Sequence, residues 1–167
     1  MGRLAEEVRV WNTPIIGSFL LWEFTKGYYN EHPNSEAPIA LLHFVASAIL
    51  TNEELIRPIS NKRSSLQSYI KSFEDSKNVD LLFSIQERTR SLFKYTLDAL
   101  DIGISEGLFQ WDINSGKIYP KSLEQKPNRG KNLRAKAKSD GKKAYILGKW
   151  FAQEDISTIS AYLKVVF

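Results

Sequence analysis

The amino-acid sequence predicts a mainly α protein that carries one β-hairpin. Apolar residues recur every three to four positions through most of the chain, as in Leu66, Tyr69, Ile70 and Phe73, the repeat of one face of a helix. Only one pair of short β-prone runs is present, on either side of an Asn-Ser-Gly turn. Hydrophobic residues at 43% and charged residues at 25% match a chain that buries a core, and 167 residues suit one domain. The division expected is a helical array over about 12–107, a hairpin over 108–120, a basic loop over 121–134 and C-terminal helices over 135–163.

Trp11-Asn12-Thr13-Pro14 starts the first helix, since Asn or Thr caps free backbone N–H groups and Pro tolerates the first helical position. Ile15, Ile16, Phe19, Leu20, Trp22 and Phe24 give it an apolar surface broad enough to be buried on most sides. Pro33 and the polar run around it stop it. A second helix is expected from Ser35, with Pro38 near its first turn, through the apolar run Ile39 to Leu50. Thr51-Asn52-Glu53-Glu54 has a cap followed by acids that suit a helix N-terminus. Another cap-like cluster precedes the helix of Leu66. The periodic segment from Asn78 to Gly107 is long for one helix, so a break is predicted between Thr89 and Phe93. Leu108–Asp112 and Lys117–Pro120, joined through Asn114-Ser115-Gly116, form the hairpin. After the basic loop, helix resumes over about 135–153, and Asp155 caps a last short one.

No cysteine is present, which removes disulfides, Cys-based zinc sites and thiol catalysis and fits the cytoplasm. Glu6, Glu7 and Arg9 stand where a signal peptide needs an apolar run, and no stretch is apolar enough to cross a membrane. The two histidines, His32 and His43, do not have metal-ligand spacing. His43, in an apolar helix, reads as a core histidine with one hydrogen-bond partner. Phosphate-loop, dinucleotide and nucleophile-elbow motifs are missing. The carboxylate pairs Glu53-Glu54, Glu74-Asp75 and Glu154-Asp155 adjoin helix ends, where acids act as caps. Neither an enzymatic role nor a cofactor is expected.

Charge is concentrated in one place. Residues 121–143 hold nine basic residues against Glu124 and Asp140, while the whole chain is only +4, so the remainder is net acidic. Such a run reads either as a solvated linker or as a phosphate-binding surface. A second basic cluster, Arg57, Lys62 and Arg63, opens the Leu66 helix. Helices followed by a hairpin give the outline of a winged helix, in which one helix and the wing approach DNA. The DNA-facing residues expected on this basis are Arg57, Lys62, Arg63, Arg129, Lys131, Arg134, Lys136 and Lys138. Aromatic residues are favoured interface anchors, and Trp11, Phe109, Trp111 and Tyr119 are the expected partner contacts.

Three short motifs carry a family likeness: Trp11-Asn12-Thr13-Pro14 before an apolar helix, Phe93–Leu100 running into Ile104–Leu108, and Leu147-Gly148-Lys149-Trp150-Phe151-Ala152. Their order, over about residues 10–163, resembles the middle components of bacterial three-component ABC systems, of which Lamassu antiphage defence is the best-known member. The resemblance implies a winged-helix-containing, non-catalytic accessory subunit. Its partners would be an SMC-like ABC ATPase, an effector such as a nuclease, and DNA. The chain departs from the family at its end, Leu163–Phe167, where the family closes with Gly and a basic residue. A free-standing winged-helix transcriptional regulator is the alternative that the basic segment and hairpin leave open.

Overall fold

A computed structural model describes residues 13–122 and 135–167. The expected mainly α class is what it shows, with eight helices and one two-stranded hairpin among the described residues. Helix α1 (Pro14–Glu31) begins after an extended Thr13, with Pro14 in its first turn, and ends before His32 and Pro33. Then come α2 (Ala40–Leu50), α3 (Glu53–Ile56), α4 (Leu66–Asp75), α5 (Val79–Ser91) and α6 (Phe93–Ser105). Strands β1 (Phe109–Asp112) and β2 (Lys117–Pro120) precede α7 (Ala135–Ala152) and α8 (Ile156–Leu163).

Local signals place most of these boundaries. Asn52 Oδ1 accepts from the N–H groups of Glu54 and Leu55, both at 3.0 Å, which satisfies two free donors of α3. Ser65 and Ser68 exchange a reciprocal capping box at the start of α4, and Asp155 Oδ1 accepts from Thr158 N at 2.7 Å at the start of α8. The predicted break in the long periodic segment falls at Leu92, between α5 and α6. Arg88 of α5 closes the far end of α2. Its Nε donates to Ala48 O at 3.0 Å and its Nη2 to Thr51 Oγ1 at 2.9 Å, a cation set against free carbonyls.

One boundary differs from expectation. Pro38 lies outside the first turn of α2, in an extended segment that ends at Ile39, the N-cap residue with ψ 151°. That segment lies along β2: Ile118 N donates to Pro38 O at 2.9 Å and Ala40 N to Gly116 O at 2.8 Å, with an antiparallel bridge between Ile39 and Lys117. Pro38 takes part only through its carbonyl, so its missing N–H costs nothing. The hairpin pairs Phe109 with Pro120 and Asp112 with Lys117. Gly116 at φ 71° supplies the left-handed position that its turn needs.

Helices α1 and α7 form the centre, and they meet backbone to backbone. A Cβ placed on Gly148 would fall on the carbonyl oxygen of Phe24, and one placed on Gly27 would fall on the carbonyl of Tyr145. Each helix therefore presents a glycine to the other's main chain. Around this contact lie Leu20, Leu21, Phe24, Leu147, Trp150 and Phe151, all buried, and Phe24 meets Phe151 edge-on at 5.3 Å. Trp150 also packs on Tyr69 of α4 at 5.6 Å. Tyr69 Oη donates to Leu55 O at 2.6 Å, so the buried phenol is satisfied, and burial pushes its pKa up.

An Ala at an ordinary helical Gly stabilises a helix by about 1 kcal/mol. Here the opposite is expected: Gly148→Ala forces the two backbones apart and should cost about 3 kcal/mol. Urea unfolding measures this, and a variant as stable as the parent would rule out the close approach.

Candidate interaction surfaces

The structure joins the two basic clusters of the sequence. Lys143 of α7 donates from Nζ to Arg57 O at 2.8 Å and to Ile56 O at 3.3 Å, capping the last carbonyls of α3. Lys136 Nζ reaches Glu53 Oε2 at 2.9 Å and Asp140 Oδ2 at 3.1 Å. The first three turns of α7 are thus tied to α3 and to the loop that bears Arg57, Lys62 and Arg63. Arg57 and Lys62 of that loop are exposed, as are Lys138 and Lys142, which point away from Lys136 and Lys143 around α7.

The expected DNA-facing residues differ in what they are free to do. Arg63 is half-buried and spends its Nε on Pro58 O at 3.0 Å. Lys136 sits between two carboxylates. Burial pulls its pKa down, but the bonds from Glu53 and Asp140 outweigh that and raise it. Its charge is largely neutralised locally, which a residue count does not reveal. For Asp140 burial dominates and raises the pKa against the pull of Lys136. Arg129, Lys131 and Arg134 lie outside the described residues, as does Trp11. Lys142 and Lys143, on the same turns of α7, were not among the expected site residues; their signal was the continuation of the basic run into the helix.

The hairpin corrects one expectation. Phe109 is 1% exposed and cannot serve as a partner contact. Its ring occupies the space that Gly103 of α6 leaves open and meets His43 edge-on at 6.3 Å. Trp111, two residues on and so on the same face, is half-buried against the core. Tyr119 points the other way, 36% exposed, and touches Tyr29 of α1 edge-on at 6.3 Å. The tip carries Ile113, 90% exposed, next to an Asp112 turn whose carboxylate accepts from Ser115 Oγ at 2.6 Å and Asn114 N at 3.1 Å. The bond from Ser115 leads in lowering the Asp112 pKa.

His43 is a core residue, as expected, but with two polar neighbours instead of one. Nε2 lies 2.9 Å from Thr25 Oγ1 and Nδ1 lies 3.2 Å from Ile39 O. The Ile39 carbonyl can only accept, which places the imidazole proton on Nδ1 and leaves Nε2 to accept from the Thr25 hydroxyl, whose other acceptor is Leu21 O at 2.6 Å. Phe24 and Phe109 flank the ring at 5.5 and 6.3 Å. His32 accepts at Nδ1 from Asn34 N at 3.2 Å and shapes the turn after α1. Among the described residues no three acidic or imidazole side chains converge as a metal site, and no helix is long and apolar enough to cross a membrane.

A mainly helical protein, in which one hairpin and a basic helix start flank a glycine-tight helix pair, is a domain whose distinctive features are surfaces. The chain belongs to the family described as ABC-three component (ABC-3C) system Middle Component 3, whose model matches residues 1–167. No curated protein and no solved structure matches it. Membership makes it a component of a multi-part ABC system, with other proteins of that system as partners.

Burial pushes the His43 pKa down from 6.5 to about 4. The unfolded chain therefore binds the proton that the folded one refuses between those values. Stability is complete above pH 6.5 and falls as the pH drops, by about 2 kcal/mol at pH 5. Urea titrations from pH 7 to 5 measure the loss, and in His43→Gln this component of the slope should vanish.

Proposed function

We propose that this chain is a non-catalytic accessory subunit of an SMC-like ABC ATPase complex in bacterial antiphage defence, acting in the cytoplasm. It connects the ATPase to an effector, a nuclease being the expected kind, and touches DNA through its basic face. The observation that carries this reading is membership of the middle-component family over residues 1–167. The joining of α7 to the Arg57–Arg63 loop through Lys143 supports the DNA contact, because it brings the end of the basic segment beside the loop that carries Arg57 and Lys62. Phosphate contacts of this kind are sequence-tolerant and sensitive to salt.

A free-standing winged-helix regulator is the second reading. It is favoured by the order of helix, extended segment 38–39, helix, and later helix and hairpin, with the extended segment paired to the hairpin. A regulator of that type would need a preferred operator, whereas a subunit needs only backbone contacts.

Co-expression with the ATPase of the same system, followed by gel filtration, decides the first point. Co-elution at micromolar concentration is expected, and separate elution would refute the subunit reading. For the DNA contact, Arg57→Glu, Lys62→Glu and Lys138→Glu combined should weaken duplex binding at least tenfold at low salt. The same change should reduce the salt slope by about 2 to 3. Unchanged binding would remove DNA from the proposal, and a strong preference for one operator would favour the regulator.

A further inference from the structure

At the start of α1 an apolar groove of about 490 Å³ runs between α1 and α6. Its walls are Ile15, Ile16 and Phe19 on one side and Ile102 and Leu108 on the other. Ile15 is 67% exposed, although the breadth of apolar surface on α1 would place it in a core. Two polar groups break the lining. The Ser18 hydroxyl, 2% exposed, has no hydrogen-bond partner among the described residues, and a buried group left so costs about 1–3 kcal/mol. Glu106 forms the end of the α6 wall. Asp98 and Ile102 of that helix and Glu106, its C-cap residue, recur every four residues along one stripe, which sets an isoleucine between two carboxylates. Lys94 neutralises Asp98 at 2.9 Å, whereas Glu106 has no ion pair among the described residues.

We infer that this groove docks a segment of a protein partner that inserts a branched or aromatic apolar side chain beside Ile15 and presents a Lys or Arg to Glu106. The inference rests on the reading of the chain as a subunit of a complex. Charge complementarity selects the cation: an apolar occupant alone would desolvate an unpaired carboxylate and leave Ser18 unsatisfied, so the bound segment must bring donors as well. The exposure of Ile15 at the rim favours a macromolecule over a small ligand, because only a surface laid across the groove would cover that side chain. An anchor in a pocket with a charge at its edge is the form in which a few residues dominate binding energy.

The test uses the full chain and the purified ATPase and effector of the same system, each titrated by isothermal calorimetry. Ile15→Glu and Glu106→Lys both alter exposed residues and should leave the circular dichroism melting curve in place. Each is expected to weaken binding to one of the two components at least tenfold, while Phe83→Glu, at an exposed residue of α5 (59%) outside the groove, leaves it unchanged. Unaltered affinity of both groove variants for components that bind the parent would overturn the groove and leave the subunit reading standing. Failure of the parent to bind either component would overturn both. A concentration-dependent dimer abolished by Ile15→Glu would assign the groove to a second copy and overturn the inference. Unaltered binding with a melting point lowered by about 5 °C would assign it to the chain's own N-terminal residues, with the same result.

Discussion

Everything else in this protein is arranged around the line where α1 and α7 touch without side chains between them. Gly27 and Gly148 each face the other helix's carbonyls, so the pair is closer than any contact cushioned by Cβ atoms could be. That closeness brings Phe24 against Phe151 and lets Trp150 reach past α1 to Tyr69. It also sets where the first turns of α7 must lie, and hence where Lys136 and Lys143 find α3. The basic face is a product of core geometry, since its position follows from a helix packed by glycine.

The three motifs that marked the family acquire a physical meaning from the same centre. Tyr95, in the second motif, donates from Oη to Thr13 O of the first at 3.1 Å, and its ring lies where a Cβ on Gly17 would be. Burial pushes that phenol up to about 12, so it stays a neutral donor at any ordinary pH. Gly148, in the third motif, is the glycine that meets Phe24. All three motifs describe how α1 is held, from α6 on one side and α7 on the other. They belong to the scaffold, which explains why none of them looks like chemistry.

Features governed by a few neighbouring residues were legible in the sequence. Asn52 and Asp155 cap because their side chains reach donors two or three residues away, and the break at Leu92 follows from the length of the periodic segment. The hairpin follows from Gly116 and the runs beside it. What failed depended on distant partners. Pro38 could not be placed because its carbonyl is claimed by Ile118, eighty residues on. Phe109 looked like an anchor because the void over Gly103 is a tertiary fact. Lys136 looked free because Glu53, eighty-three positions back, is invisible to any local count of charge. For the same reason Ile15 read as core: periodicity tells which residues are apolar but not where the covering elements end.

The pairing of α1 with α7 also sets a schedule. The first helix leaves the ribosome with Leu20, Leu21 and Phe24 uncovered, and its closest neighbour is more than a hundred residues behind it. At about 5–20 residues per second that is an interval on the order of ten seconds. A helix apolar on most sides must spend that time lodged against α2 and α6 alone or shielded by something else.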